Sequence, residues 1–252
     1  MNSPADSAPE LLVLTHRDQL DVTRLHAKVI VVLDVIFATS SIVAAFAHGI
    51  RDCIPAADER SAREYGEAAT DIIMAGEKNA VVLDGFAHFA PLQLTRHTLA
   101  DRTLVFCSTN GAPALTMAAR GEHVYAGALL NRAALCGYLV ENHAAQSIIL
   151  ECAGSGSGFC LEDFYAAGAF VNELQRRGGN WAVTDSALAA AATFNHYSAE
   201  QALSESRVGR LMSGLDLDED LRFSAQFDVA DIVPRMHAER LFAVPCGQSQ
   251  AT

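Results

Sequence analysis

Short continuous apolar runs alternate with amphipathic stretches along most of the chain. "KVIVVLD" (28–34) is β-branched and unbroken, the pattern of a buried strand. "TSSIVAAFAHG" (39–49) reads as a helix that opens on hydroxyls and stops at Gly49. "DCIPAA" is a short strand, and "DERSAREYGEAA" (58–69) is an amphipathic helix capped by Asp58. "DIIMAGE" (71–77) is a strand ending in a carboxylate. Residues 78–102 lack a clear period: "AVVLD" has strand character, and "GFAHFAPLQLTRH" reads as a loop with one helical turn. The alternation resumes with a strand at 103–110 and the helix "GAPALTMAARG". The strand "HVYAGA" precedes a helix at 131–143 capped by Asn131. The strand "SIILECAG" (147–154) leads through "GSGSGF" into a long helix at 161–179, ended by a Gly pair. Beyond residue 183 the pattern is mostly helical, "DSALAAAATFNHY" and "SAEQALSESRVGRLMSGL", until "DIVPRMHAERLFAV" gives a strand pair with a turn.

Strand–helix alternation predicts an α/β fold: a mainly parallel or mixed sheet with helices on both faces and a helix-rich C-terminal region. Residues 1–9, small, polar and Pro-containing, are expected to fray. The remainder, 10–246, reads as one α/β domain, with 184–222 as a helical subdomain or lid.

The length, 252 residues, suits such a domain, and half the residues are hydrophobic, so the core needs no disulfide staples. A net charge of −12 argues against nucleic acid or anionic membrane as partner. Six cysteines contain no CxxC pair and no zinc spacing, which fits reduced, buried thiols. No signal peptide and no membrane-length apolar run is present, so a cytoplasmic protein is expected. A homodimer is the base-rate expectation for an enzyme of this type and size.

In such sheets ligands bind beyond the C-terminal strand ends. Four of those ends carry chemistry. Asp34 ends the first apolar strand, where it serves either as a helix cap or as a functional carboxylate. Glu77 ends a second strand, as a turn residue or as the partner of Asp34 in binding Mg²⁺ or in acid–base work. Ser108, Thr109 and Asn110 precede a helix N-terminus, which either caps the helix or receives an anion. "CAGSGSGFCLED" (152–163) resembles a phosphate-cradling loop but is neither a Walker motif nor GxGxxG. Its Glu162 and Asp163 complement the next helix dipole or contribute a metal or acid–base pair. Lys78, Arg207 and Arg210 are the candidate cations for an anionic small-molecule substrate.

In this order, "VVLDVIFATSSIVAAFAHG", "AGEK", "STNGAPAL", "GALLNRAAL", "CAGSGSGFCLEDFYAAGAFV", "SRVGRLM" and "DIVP" resemble the 2-phosphosulfolactate phosphatases. These are Mg²⁺-dependent enzymes of coenzyme M biosynthesis, and the resemblance runs over roughly residues 10–244. It implies hydrolysis of a phosphomonoester on a small acid. Asp34, Glu77, Glu162 and Asp163 are then candidates for metal binding or acid–base work, roles that spacing does not separate. Thr39 belongs to the first motif and Gly154 to the glycine loop; Thr109 and Asn110 would orient substrate, with Lys78, Arg207 and Arg210 as residual charge.

The chain departs from the family pattern at several positions. Phe37 stands where relatives carry arginine, Lys78 replaces a second arginine, Ala87 and Ala90 replace an acid and an amide, and Ser224 replaces a cysteine ahead of Asp228 and Asp231. Arginine holds phosphate with paired N–H donors, and two lost charge-assisted bonds at roughly 1.5–3 kcal/mol each would cost on the order of 100-fold or more. Three readings follow: a phosphatase of shifted specificity, a relative performing other chemistry on a less charged or more hydrophobic substrate, and a non-catalytic binding protein. An open pocket beside Phe37, flanked by Asp34 and Glu162, would favour catalysis over a filled, silent site.

Overall fold

β-Branched runs and capped amphipathic stretches set the elements. The computed structural model describes residues 8–156 and 158–244. Its first half contains β1 (Glu10–Leu14), β2 (Lys28–Leu33), α1 (Ala38–Ala47), β3 (Asp52–Ala56), α2 (Glu59–Gly66), β4 (Ile72–Lys78), β5 (Val81–Val82) and α3 (Pro91–Leu94). There follow β6 (Thr103–Cys107), α4 (Gly111–Ala118), β7 (His123–Gly127), α5 (Arg132–Asn142), β8 (Ser147–Cys152) and α6 (Leu161–Arg176). The last part holds β9 (Ala182–Val183), α7 (Asp185–His196), α8 (Ala199–Glu205), α9 (Arg207–Ser213), α10 (Asp218–Ser224), β10 (Val233–His237) and β11 (Arg240–Val244). The expected fraying of the first residues and the sixth cysteine, Cys246, concern positions largely outside the described residues; the other five cysteines are free and buried.

The strands form one mixed sheet in the order β5-β4-β6-β3-β11-β10-β7-β2-β8-β1-β9. It consists of two parallel halves, β4-β6-β3 and β7-β2-β8-β1-β9, joined by the β10–β11 hairpin, with β5 antiparallel to β4 at one edge. Three successive antiparallel steps, β3–β11, β11–β10 and β10–β7, reverse strand direction between the halves. The outer two of these joints are single-residue pairings, Leu241 with Cys53 and Arg235 with Tyr125. α4 contacts both β3 and β2, and α1 contacts both β6 and β7, so these two helices lie between the halves. That position explains α1, which is buried from Ala38 to Phe46 although an ordinary covering helix would leave a polar face exposed. Its hydroxyls are satisfied internally: Ser40 Oγ donates to the Val35 carbonyl (2.5 Å) and Ser41 Oγ to the Phe89 carbonyl (2.6 Å).

The elements differ from the sequence expectation in three places. β1 and β9, at one sheet edge, were not among the elements read from the pattern. The continuous helical reading of "SAEQALSESRVGRLMSGL" is broken at Ser206, whose backbone is extended (φ −65°, ψ 160°) and whose Oγ caps α9 by accepting from Gly209 N–H (2.9 Å). Asn131 precedes α5 but does not cap it with its side chain. Asp228 does so instead, accepting from Ala133 N–H (2.6 Å) while ion-paired with Arg132 (2.6 Å). The helices of 184–222 share the main core with the sheet through Ala187, Ala190, Leu203, Met212 and Leu221.

Candidate active site

The loops after β2, β4, β6 and β8 meet at a cavity of about 360 Å³. Its lining includes Asp34, Phe37, Glu77, Thr109, Asn110, Gly154, Glu162, Asp163 and Arg207 from the sequence candidates. Thr39, Lys78 and Arg210 are not part of it. Thr39 is fully buried beneath Asp34, its Oγ1 donating to the Asp34 carbonyl (3.0 Å) and accepting from Asp34 N–H (3.1 Å). Lys78 is exposed and lines a neighbouring hollow, and Arg210 donates to the Glu205 carbonyl on the exposed side of α9. The cavity also has lining residues that periodicity did not single out: Asn79, Ala80, Ser155, Cys160, Val208 and Leu211.

Asp34 is the electrostatic centre. Burial, then the nearby Glu77 and Glu162, push its carboxyl up to about 7, against the N–H groups of Gly111 and Ala38, which favour the anion. The N-termini of α1 and α4 thus both point at Asp34. Gly111 is required by this approach, because a Cβ there would lie 2.3 Å from Asp34 Oδ2. Asp163 accepts from Val35 N–H (3.0 Å) and Gly154 N–H (3.3 Å), bracing the loop after β2 against the loop after β8. Burial and the charges of Asp34 and Glu162 hold its carboxyl well above the usual range. Glu162 is also raised by burial, opposed by its own backbone N–H, Ser206, Cys160 and Arg207.

Glu77 accepts three hydrogen bonds: Thr109 N–H (2.6 Å), Thr109 Oγ1 (2.9 Å) and Ala80 N–H (2.7 Å). With two oxygens and four lone pairs, one acceptor position remains. Thr109 spends its hydroxyl proton on Glu77 and accepts from Asn79 N–H (2.9 Å), so it fixes Glu77 and has no hydroxyl proton left for a substrate. Asn110 accepts through Oδ1 from Arg17 Nη1 (3.1 Å) and Gly156 N–H (3.2 Å), which leaves its Nδ2 hydrogens for a ligand. Arg17 also donates to the Ala153 carbonyl (3.0 Å). No local pattern marks Arg17: it reaches the site only because β1 lies beside β8.

The glycine loop does not act as a phosphate cradle through its described N–H groups. Gly154 donates to Asp163, Gly156 to Asn110, and Ser155 and Gly158 to each other's carbonyls. The loop is a wall held by these bonds and by contact between His16 Nε2 and the Gly156 carbonyl (2.8 Å). Gly154 sits at φ +73°, with the His16 ring where a Cβ would be.

Phe37 is 8% exposed and packs edge-on against Phe89, with ring centroids 4.8 Å apart. It therefore forms one wall of an open cavity and does not fill it. Ala87 is backbone-paired with Ala75, and Ala90 is fully buried at the start of α3. Ser224 Oγ donates to the Ile36 carbonyl (3.3 Å), supporting the same loop from α10.

A family model described as 2-phosphosulpholactate phosphatase matches residues 15–239. The chain belongs to the 2-phosphosulfolactate phosphatase family. A probable 2-phosphosulfolactate phosphatase of Symbiobacterium thermophilum is 31% identical over 215 residues, covering 83% of this chain and 91% of the relative. Proteins of the same description from Caldanaerobacter subterraneus and Clostridium beijerinckii are 30% and 26% identical, covering 84% and 88% of this chain and 89% and 94% of their own lengths. As a member of this family the chain is matched across all four loops that build the cavity.

The donor chemistry of the site fits Mg²⁺. That ion takes hard oxygen ligands, commonly one or two carboxylates completed by water and phosphate. Asp34 and Glu162 are carboxyls of one cavity, each raised by burial, so a cation between them would stabilise their charged forms. Among the described residues no three His, Cys, Asp or Glu side chains form a closed ligand cage, so the fit rests on this pair.

Proposed function

We propose that the protein is a Mg²⁺-dependent phosphatase that hydrolyses a phosphomonoester of a small acid. The observation that carries this reading is the arrangement of four carboxyls, one amide donor and one guanidinium around a single cavity in a chain of this family. Asp34 and Glu162 would hold Mg²⁺, which supplies charge neutralisation at the phosphoryl oxygens. Arg207 and Asn110 Nδ2 donate to the phosphate. The remaining acceptor position of Glu77 orients the attacking water, with Thr109 and Ala80 locking the carboxylate in place. Asp163 keeps the two loops that carry Asp34 and Gly154 in register.

The test is phosphate release over a panel of small phosphomonoesters, with Mg²⁺ and with EDTA. Turnover that EDTA abolishes is expected, with Asp34→Asn lowering kcat by at least roughly 100-fold. Because burial and neighbouring carboxylates push the Asp34 carboxyl up to about 7, Mg²⁺ should raise Tm more at pH 8 than at pH 6, and Asp34→Asn should reduce that difference. Phosphate release unaffected by EDTA, or equal in Asp34→Asn, would sink the reading.

A further inference from the structure

The lining of the cavity is unevenly divided between charge and hydrocarbon. Its acidic members are Asp34, Glu77, Glu162 and Asp163, and Arg207 is the one cation among the described lining residues. Lys78 and Arg210 lie outside it, and Arg17 stands behind Asn110, donating from Nη1 to Asn110 Oδ1 and to the Ala153 carbonyl. The apolar lining is Phe37, Ala80, Val208 and Leu211, contributed by three separate segments. Phe37 is fixed by Phe89, and Leu211, on the same face of α9 as Arg207, is 41% exposed and available for contact.

A phosphate dianion, one divalent cation and Arg207 together leave a single positive charge, which already falls short of these carboxyls once they are ionised. Each further acidic group on the substrate would sit beside buried carboxyls without a counter-charge, a cost that grows in a low-dielectric cavity. An apolar substituent would instead displace water from the hydrocarbon wall and gain by its burial.

We infer that the protein selects phosphomonoesters bearing an apolar substituent, aryl or branched alkyl, in place of a second or third acidic group. The apolar group is received by Phe37, Val208 and Leu211. This rests on the phosphatase reading for the position of the phosphate, and it names the specificity that the reading leaves open.

Two substrates that differ in one group decide it: 2-phospho-3-phenyllactate and 2-phosphosulfolactate share a phosphate and a carboxylate and differ by phenyl against sulfonate. With Mg²⁺, kcat/KM should favour the phenyl compound by roughly tenfold or more. Leu211→Ser, at an exposed position that leaves the core intact, should narrow the ratio roughly three- to tenfold, mainly through KM. Phe37→Arg should shift it towards the sulfonate. Calorimetric binding of the dephosphorylated acids, 3-phenyllactate and sulfolactate, with Mg²⁺ and inorganic phosphate present, reports the same preference without turnover. A sulfonate preference in turnover and binding, or a ratio that Leu211→Ser leaves unmoved, overturns the inference while the phosphatase reading stands. Tighter phenyllactate binding with no phosphate release from either ester supports the substrate class and removes the phosphatase reading. Absence of both release and preference overturns both.

Discussion

At the residue scale, the site depends on close approach between atoms distant in sequence. Gly111 is the clearest instance. Its N–H supports the Asp34 carboxylate, and a methyl group at the same place would collide with that carboxylate and with Ala38. Gly111→Ala should cost about 1–3 kcal/mol of stability through overpacking. It should lower activity by far more than that loss of folded protein explains, because it displaces Asp34. Urea melts and phosphate release on the same preparation check this, and full activity in the variant would refute the placement of Asp34. Thr109 and Thr39 teach the complementary lesson. Both were legible as hydroxyls near a strand end, but each has its proton committed within the protein, one to Glu77 and one to the Asp34 carbonyl. Hydroxyl identity is a sequence property, whereas the partner that consumes the proton is not.

At the element scale, the β4–β5 hairpin sets Glu77 through a two-residue turn, Asn79 and Ala80, both at positive φ (54° and 62°). Such a turn suits the right-handed twist of a hairpin and favours Asn–Gly, so Ala80 carries a left-handed strain. The strain is offset locally by the Ala80 N–H bond to Glu77 Oε2 (2.7 Å). Ala80→Gly should therefore stabilise the protein by about 0.5–1 kcal/mol, read as a higher urea midpoint at unchanged m-value. A lower midpoint would show that the methyl group's contacts outweigh the strain. The same hairpin explains why residues 78–102 lacked a period in the sequence: a two-residue strand and a four-residue helix are too short to express one.

At the scale of the whole molecule, buried carboxyls make stability depend on pH in an unusual direction. Glu151 lies inside β8, is fully buried, and neither oxygen has a hydrogen-bond partner. Burial pushes its carboxyl from 4.5 up to about 8, with Arg17 opposing. Below pH 4.5 folded and unfolded chains both hold this proton. Between that pH and about 8 the folded chain keeps it and the unfolded chain releases it, so stability falls by up to about 1.4 kcal/mol per pH unit and the loss is complete above 8. Asp34 acts in the same direction over the range from 3.8 to about 7. The metal-free protein should therefore lose stability from pH 5 to 8, and Glu151→Gln should flatten that slope by roughly 3–5 kcal/mol over the range. Urea titrations at several pH values measure it, and an unchanged slope in the variant would contradict the assignment. Among the described residues no helix is long and apolar enough to cross a membrane.

The strand–helix rhythm, the strand-end carboxylates and the ordered motifs were all written in the linear pattern, because strand burial and helix capping act over a few residues. They specified the α/β class, the family and nine of the lining residues. What only the tertiary structure decided is how those strand ends meet. The β10–β11 hairpin reverses one half-sheet relative to the other and places α1 and α4 between them, so Asp34 and Glu77, from opposite halves, line one cavity. Arg17, Val208 and Leu211 enter the site through contacts between segments far apart in the chain, for which no local periodicity exists. The free or spent state of each donor, and the apolar wall that Phe37 builds with Phe89, likewise follow from packing, since a side chain's partner is chosen by the neighbours that folding brings to it.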